Sequence, residues 1–330
     1  MDEQDWAGVV AAATRAPSIH NTQPWRFVAS ADRLEVFFDP ERRLPVLDPS
    51  TRQQVISCGV AVEFALVALR AAGRQGEVEL LPDPDDADHL ATVRATGPQE
   101  ASDDDRSLAR TIEQRHTERA PFEPRSVPEK VLDRLQSEAA PFGVWVKPIT
   151  ESEEEVATVF LISRAEELEQ GEPAYRAELE QWMRTDPAAP DGVPVSAVPS
   201  GDPAMRPSNW LIRDFVVGSR APASSGTTDP DAPPPPVERP AVVLMGTVND
   251  DRRAWLDAWR ALGRVLLRAT ESGIVASPLT QALDWPATRH QLTARLSLVG
   301  HPQMLLRLGY PAQRGTPSGR RPVAEVLRRG

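Results

Sequence analysis

The 330-residue chain has a single cysteine, Cys58, so no intrachain disulfide can form and a cysteine-based zinc site is excluded. Its five histidines are scattered, and none pairs with another at metal-ligand spacing, which argues against a metal enzyme. Charges interrupt the apolar runs before they reach membrane-spanning length. The acidic N-terminus lacks the pattern of a signal peptide. These absences predict a cytoplasmic protein without metal or membrane attachment.

Basic residues are fewer than acidic ones: 37 lysines and arginines stand against 48 aspartates and glutamates, for a net charge of -11. This balance argues against a general nucleic-acid partner. The charge is uneven, however, because the segment from Arg289 to the C-terminus holds eight arginines and one acid, Glu325. This basic end is either a solvated tail or a docking place for an anion.

Length and periodicity indicate more than one unit of mixed secondary structure. A chain of 330 residues exceeds what one hydrophobic core usually holds. Helical spacing of apolar residues predicts helices over 3–15 and 51–72, with strand-like runs at 25–28 and 34–38 between them. No strand is followed by G-x-G-x-x-G and a helix, which excludes a standard nicotinamide-binding domain. The fold class is therefore α+β rather than doubly wound.

Residues 1–100 and 101–330 share a faint common plan. Each half has a helix, an Ala-Pro break, a strand that carries a tryptophan and then a long helix. This order suggests an internal duplication in which little sequence identity survives. The second half also contains residues 185–240, a proline-rich stretch without clear periodicity. This stretch is either a lid or a plain insertion, and its apolar patch around Trp210 should pack against the rest of the protein.

The loop from Arg15 to Phe27 is dense in side chains that form hydrogen bonds without titrating. Pro17 helps to pin it between a helix and a strand, and Ser18 and Asn21 lie within it. A loop of this kind can present amide and hydroxyl groups to a flat polar ligand. Single residues of these types are also common in ordinary capped turns. The density of such residues over the whole loop favours a binding role.

A second candidate is the pentapeptide in which Arg115 and Arg119 flank His116 and Thr117. Guanidinium groups form bidentate, charge-assisted hydrogen bonds with phosphate, and a threonine hydroxyl adds another donor. This composition therefore suits a phosphate group. The alternative is an exposed helix end with no ligand.

Two further segments lie toward the C-terminus. Residues 318–322 place Arg320 and Arg321 between a glycine and a proline, which suits either an anion site or a basic tail. In residues 273–280, a helix ends at glycine and a short apolar strand leads to Pro278. A turn there would expose backbone amides to a ligand.

Together these segments resemble the nitroreductase superfamily, specifically its Acg-type branch of fused, double-domain proteins, over nearly the whole chain. The most specific part is APSIHNTQPWRF, because the superfamily signature is Pro-Ser, then Asn, then Gln-Pro-Trp. The motif R-x-T-x-R ahead of Phe122 is similar to the paired arginines that hold the FMN phosphate. GIVASPLTQ is similar to the segment along the flavin ring, and GRRPVAEVL is similar to the basic C-terminal end.

The resemblance implies a monomer folded as an internal pseudo-dimer with one FMN. Ordinary nitroreductases are dimers in which one subunit supplies the arginine motif and the other supplies the Pro-Ser/Asn loop. This chain has each set once, in opposite halves, so a single complete site remains. The FMN-binding residues carried over from the family motifs are Pro17, Ser18, Asn21, Arg115, His116, Thr117, Arg119, Pro278, Leu279, Thr280, Arg320 and Arg321.

The resemblance also implies the chemistry. The arginines and Thr117 would hold the phosphate, and the amide of Thr280 would face flavin N5. The redox chemistry would belong to the flavin, with no protein acid or base required. We expect NAD(P)H-dependent reduction of a nitroaromatic, quinone or similar acceptor. Trp259 stands where a small residue is expected and would narrow the packing beside the flavin.

Two alternatives stay open at this stage. Residues 185–240 could cover the flavin in a non-catalytic protein that stores or sequesters FMN. The arginine clusters could instead bind another phosphate ligand without any flavin.

Overall fold

The computed structural model describes residues 3–198, 210, 237–313, 315 and 317–330. The elements before residue 100 are α1 (Glu3–Ala13), β1 (Trp25–Ala29), β2 (Arg33–Phe38), α2 (Arg52–Ala71), β3 (Arg74–Leu80) and β4 (His89–Pro98). Those from residue 101 to 198 are α3 (Asp103–Gln114), α4 (Glu129–Ala139), β5 (Trp145–Pro148), α5 (Ser152–Gly171), α6 (Pro173–Gln181), β6 (Met183–Arg184) and β7 (Val193–Pro194). The later ones are β8 (Ala241–Thr247), α7 (Arg252–Glu271), β9 (Val275–Pro278), α8 (Gln281–Asp284), α9 (Pro286–Arg295), β10 (His301–Gly309), α10 (Val323–Val326) and β11 (Leu327–Arg329).

The first sheet has five strands in the order β11-β1-β2-β4-β3 and contains the hairpin predicted from the sequence. Alternation along β2 puts Leu34, Val36 and Phe38 in the core, as expected for a strand with one buried face. The C-terminal strand β11 lies parallel to β1, with Leu327 opposite Phe27. The last part of the basic end is therefore a strand of the first sheet rather than a solvated tail.

The second sheet has four strands in the order β5-β8-β10-β9, and its neighbouring strands run antiparallel. Nearly every residue of β8 and β10 is buried. The sequence of β8 is accordingly a mainly apolar run, whereas β10 also buries the polar Gln303 and the charged Arg307. A short parallel pair, β6 with β7, stands apart from both sheets. Separate sheets of mainly antiparallel strands packed against helices confirm the α+β fold class.

Helices α2 and α7 form the most extensive helix contact among the described elements and join the two parts of the chain. Small residues allow this approach, since a Cβ atom on Gly59 would lie 3.1 Å from the carbonyl oxygen of Leu256. The buried Glu63 of α2 pairs with Arg260 of α7 at 3.3 Å. Helix α2, which lies before residue 100, therefore packs against α7, which lies after it.

Helix α2 bears on the expectation that no apolar run reaches membrane-spanning length. By length and composition, it is the one described helix that could cross a membrane. However, 83% of its apolar window is buried inside the protein, as in a core helix.

Part of the proline-rich stretch 185–240 lies outside the described residues, namely 199–209 and 211–236. Trp210 is described, and only 7% of its surface is exposed. Its side chain belongs to an apolar cluster that also contains Leu161, Leu279 and Leu283. The expectation that this tryptophan packs against the protein is confirmed, whereas the lid as a whole stays a prediction.

Candidate functional site

A cavity lies where the loop after α1, the first turns of α2, the segment after α3, helix α7 and strands β9 and β10 meet. Residues before and after position 100 therefore share its wall. The residues that line it are Pro17, Ser18, Ile19, His20, Gln53, Ser57, Arg115, Thr117, Arg119, Trp259, Leu262, Leu266, Ala276, Ser277, Pro278, Thr280, Met304 and Leu306. Seven of the twelve residues carried over from the family motifs are among them, and these seven come from three separate segments.

The loop after α1 has an unusual backbone. His20, Asn21 and Gln23 all have positive φ values, of 44°, 54° and 49°. This left-handed region is uncommon for residues other than glycine, and asparagine tolerates it better than most. The Oγ atom of Ser18 accepts a hydrogen bond from the Gln23 backbone N–H at 2.9 Å, which closes the loop. Ser18 thus both stabilises the loop and lines the cavity.

The segment after α3 is extended, and its side chains alternate between the cavity and the opposite side. Arg115, Thr117 and Arg119 line the cavity, while His116 and Glu118 do not. Thr117 forms a parallel bridge with Ala276 of β9, so successive side chains face opposite sides as in a strand. The alternation explains why only three members of the pentapeptide reach the site.

His116 lies on the reverse side of that segment, against a different partner. Its Nε2 atom is 3.5 Å from Oε2 of Glu118. Gly315 covers the pair, since a Cβ atom there would come within 2.5 Å of both His116 Nε2 and Glu118 Oε2. The structure therefore places His116 behind the arginines, where it contacts the C-terminal segment instead of the cavity.

Two arginine side chains converge on one backbone oxygen. Arg115 Nη2 donates to the carbonyl oxygen of Arg15 at 3.1 Å, and Arg320 Nη2 donates to the same oxygen at 3.2 Å. The charged groups that act on Arg115 and Arg320 are other arginines, among them Arg119. We call Arg15, Arg115, Arg119 and Arg320 the arginine cluster.

The electrostatics of the arginine cluster favour an anionic ligand. Burial, with the nearby Arg15 and Arg119, lowers the pKa of Arg115 to about 9. Burial also lowers the pKa of Arg119 to about 10 and, with three neighbouring arginines, holds the pKa of Arg320 well below its ordinary value. Collecting like charges away from water is costly unless a counter-charge is bound.

Two hydrogen-bond donors of the arginine cluster also lack a partner. The Nε atoms of Arg115 and Arg320 are buried and have no hydrogen-bond partner among the described residues. A buried unpaired donor costs about 1–3 kcal/mol, so a ligand that supplies acceptors would be favoured. Phosphate oxygens match both the positive charge and the unpaired N–H groups.

Asn21 supports the cluster from outside the cavity lining. Its Nδ2 atom donates to the carbonyl oxygens of Gly192 and Gly319, at 3.0 and 3.1 Å. Its Oδ1 atom accepts from Arg320. Asn21 therefore joins three segments and holds Arg320 next to Arg115.

Arg321 takes a different direction from Arg320. Its backbone N–H donates to Gln23 Oε1 at 2.8 Å, and its Nη1 atom lies 3.5 Å from Asp39 Oδ2. The guanidinium also lies 3.7 Å from Glu325. Of the two adjacent arginines, Arg320 is thus in the cluster and Arg321 is paired with carboxylates.

A fully buried ion pair anchors the chain just after the arginine motif. Arg307 Nη1 lies 2.6 Å from Glu238 Oε1, and neither side chain is exposed. Glu238 Oε2 accepts from the Phe122 backbone N–H at 2.7 Å, and Arg307 Nη2 donates to the Ala120 carbonyl at 3.0 Å. These bonds fix the backbone that follows Arg119.

The end of β9 and the two residues after it contribute two of the three predicted residues to the cavity. Pro278 and Thr280 line it, whereas Leu279 is fully buried in the same apolar cluster as Trp210. The Leu279 N–H donates to the Leu305 carbonyl oxygen at 2.9 Å. Leu279 therefore holds the segment in place from behind.

Several lining residues were not identified from the sequence. Gln53 and Ser57 lie one turn apart on α2 and face the cavity, and Ser57 Oγ accepts from the Ile19 N–H at 3.1 Å. Two polar residues at a spacing of four in a mainly apolar helix are a signal that could have indicated them. Trp259, by contrast, was named from the sequence; it lines the cavity, and its Nε1 atom is buried without a hydrogen-bond partner among the described residues. Met304 and Leu306 belong to a buried strand and carry no such signal.

No family model matches the chain. Comparison with individual proteins, however, identifies relatives. A Mycobacterium tuberculosis protein with the provisional name NAD(P)H nitroreductase Rv3131 is 34% identical over 324 residues, which are 97% of this chain and 90% of the relative. Another protein from the same species, with the provisional name NAD(P)H nitroreductase acg, is 30% identical over 322 residues, which are 96% of this chain and 93% of the relative. The cavity and these relatives define a protein of the nitroreductase class. The chain belongs to the Acg-type branch of the nitroreductase superfamily.

More distant similarities were also found. A protein from Serratia sp. with the provisional name NAD(P)H nitroreductase PigM is 24% identical, over 98% of this chain and 93% of its own length. The solved FMN-dependent nitroreductase NfnB from Mycobacterium smegmatis, in complex with NADPH, is 18% identical. That comparison covers 68% of this chain and 93% of the other, with a TM-score of 0.37.

Proposed function

We propose that this chain is an FMN-binding, NAD(P)H-dependent oxidoreductase that reduces a small acceptor such as a nitroaromatic or quinone-like compound. The observation that carries the proposal is the arginine cluster at the cavity wall. Its buried charges and unpaired Nε atoms suit a phosphate ester. The names of the relatives support the same activity.

The phosphate would be held by Arg115, Thr117, Arg119 and Arg320, with Asn21 as the support of Arg320. The ring would lie between the loop of Pro17 and Ser18 and the segment of Pro278 and Thr280, where the cavity lining is less charged. Leu262, Leu266, Met304 and Leu306 would exclude water from one side. His116, Leu279 and Arg321 would act indirectly, by positioning these segments.

The cofactor would supply the redox chemistry, accepting a hydride from NAD(P)H and passing electrons to the acceptor. The protein would bind the cofactor, orient it and exclude water from it. We nominate no side chain as general acid or base, because the reaction does not require one.

The two halves, 1–100 and 101–330, would correspond to the two subunits of an ordinary nitroreductase dimer. The cavity combines the Pro-Ser loop and α2 from the first half with the arginine motif, α7 and β9 from the second. In this proposal the protein is a monomer with a single FMN. The close packing of α2 on α7 supports it.

A second candidate function is FMN sequestration, in which residues 185–240 close over the flavin. The specific observation in its favour is the burial of Trp210 in the apolar cluster that includes Leu279. In the sequence, Leu279 stands between Pro278 and Thr280, which both line the cavity. This cluster places Trp210 near the segment that lines the cavity.

The visible absorption spectrum of the purified protein, before and after NADPH addition without air, tests both functions. A flavin band that bleaches on mixing supports the reductase. A flavin band that persists under NADPH supports sequestration. Absence of a flavin band, even after incubation with FMN, would refute both and leave an arginine-cluster protein that binds another phosphate ligand.

A further inference from the structure

Gln53 is a buried polar residue of the cavity wall that no motif suggested. It lies in the first turn of α2, and 4% of its surface is exposed. Its Nε2 atom donates a hydrogen bond to Oδ1 of Asp284, at 2.9 Å. Asp284 ends the short helix α8, which begins directly after Thr280.

This contact fixes the orientation of the Gln53 amide. A carboxylate oxygen accepts hydrogen bonds, so the NH₂ group of Gln53 must face Asp284. The Oε1 atom then points away from Asp284, and none of the described residues donates a hydrogen bond to it. Because Gln53 lines the cavity, Oε1 is an acceptor that a bound ligand can satisfy.

The contact with Asp284 places Gln53 beside the chain that follows β9, beyond the part of β9 that the arginine motif contacts. Strand β9 forms one wall, and Thr117 of the arginine motif bridges to Ala276 near its start. At about 3.3 Å per residue, the chain travels roughly 13 Å from Ala276 to Thr280 if it stays extended. Asp284, the partner of Gln53, lies in the helix beyond Thr280. A ligand anchored at the arginines would therefore present its far end to Gln53.

We propose that Gln53 Oε1 accepts a hydrogen bond from the imide N3–H of the flavin, an inference that rests on the proposed function. The ring of oxidised flavin carries acceptors at N1, N5 and its two carbonyl oxygens, and N3–H is its only N–H donor. A buried acceptor at the ring end therefore matches one ring position. Gln53 is a positioning residue that fixes how the ring sits, through a bond between its own amide and the pyrimidine edge.

The test compares FMN with N3-methyl-FMN, which lacks the donor. Dissociation constants for both are measured with the full-length protein by quenching of flavin fluorescence. In the unsubstituted protein, N3-methylation should weaken binding by about tenfold or more, because a buried acceptor loses its partner. In Gln53→Ala, the two flavins should bind with similar affinity, since no acceptor remains and space is available for the methyl group.

Gln54→Met is the matched control. Gln54 is the next residue, is fully buried and uses its side chain on the backbone of Leu44 and Arg42, outside the cavity. Its substitution should lower stability while the preference for FMN over N3-methyl-FMN persists.

Two results would overturn the inference while leaving the proposed function intact. One is equal binding of FMN and N3-methyl-FMN by the unsubstituted protein. The other is an unchanged preference in Gln53→Ala, which would assign the N3–H contact to another group. Failure of FMN itself to bind would instead refute the proposed function, so the two failures are distinguishable.

Discussion

Arg320 donates a hydrogen bond from Nη1 to Oδ1 of Asn21 at 3.2 Å, across 299 positions of sequence. The bond joins the C-terminal segment to the loop after α1. Since Asn21 also holds the carbonyl oxygen of Gly319, it fixes both the backbone and the guanidinium of the same segment. The position of an arginine in the cluster thus depends on an amide contributed by the other end of the chain.

Removal of the Asn21 side chain should weaken FMN binding. Asn21→Gly keeps the left-handed backbone accessible, so it isolates the lost hydrogen bonds, whereas Asn21→Ala adds backbone strain of about 1 kcal/mol. We expect FMN affinity to fall in both variants and thermal stability to fall further in Asn21→Ala. Isothermal titration with FMN and thermal unfolding measure the two effects. Equal FMN affinity in Asn21→Gly and the unsubstituted protein would contradict the supporting role.

Arg320 and Arg321 are adjacent in sequence and should differ in function. Arg320→Ala should lower FMN affinity by about tenfold or more, because it removes a charge-assisted hydrogen bond to phosphate. Arg321→Ala should have a smaller effect on FMN, since its guanidinium lies near Asp39 and Glu325.

Riboflavin, which lacks the phosphate, supplies the control for this pair. Its affinity should be nearly the same in Arg320→Ala as in the unsubstituted protein. A larger loss of FMN affinity in Arg321→Ala than in Arg320→Ala would show that the other arginine reaches the phosphate.

The ion pair of His116 and Glu118 should make stability depend on pH. Its hydrogen bond to Glu118 raises the pKa of His116 above its ordinary 6.5. Burial alone would raise the pKa of Glu118, but hydrogen bonds from His116 and the Ala120 N–H outweigh burial and lower it below 4.5. The contribution of His116 is complete below pH 6.5 and is lost as pH rises through its raised pKa. The contribution of Glu118 is present above pH 4.5 and is lost as pH falls through its lowered pKa.

The pair therefore stabilises the protein most between pH 4.5 and 6.5. Urea unfolding across this range and up to pH 9 should show a decrease in the free energy of unfolding on the alkaline side. In His116→Gln, which does not titrate there, the alkaline decrease should be reduced. An identical pH profile in the two proteins would assign the decrease to other groups.

Two glycines in helices should respond to alanine in opposite directions. A Cβ atom on Gly59 would lie 3.1 Å from both the Leu256 carbonyl oxygen and Trp259 Cβ, in the tight contact of α2 with α7. Gly59→Ala should destabilise the protein by about 1–3 kcal/mol, because overpacking outweighs the gain in helix propensity. Gly8 in α1 has no atom within 4 Å of the added Cβ, so Gly8→Ala should stabilise by up to about 1 kcal/mol.

Chemical denaturation of both glycine variants measures the difference. Stabilisation by Gly59→Ala would show that α7 can move away from α2 without cost. The cavity would then be more adaptable than the packing suggests.

The sequence determined the features that depend on neighbours in the chain. The α+β class, the first hairpin and the long helix α2 follow from apolar periodicity over a few turns or strands. The family resemblance came from short motifs, and those motifs predicted Ser18, Arg115, Thr117 and Arg119 as ligand contacts, because their side chains suit phosphate and flavin.

Only the tertiary structure decided which members of those motifs face the cavity. The extended backbone at Arg115 turns His116 toward Glu118 and Gly315, and residue type alone does not indicate that alternation. Arg320 and Arg321 are equivalent as sequence, but Asn21 holds one of them beside Arg115, whereas Asp39 lies beside the other. The role proposed for Gln53 depends on α8, which places the carboxylate of Asp284 against the NH₂ group of its amide. Each of these outcomes depends on segments that are distant in sequence and adjacent in space, which local patterns cannot encode.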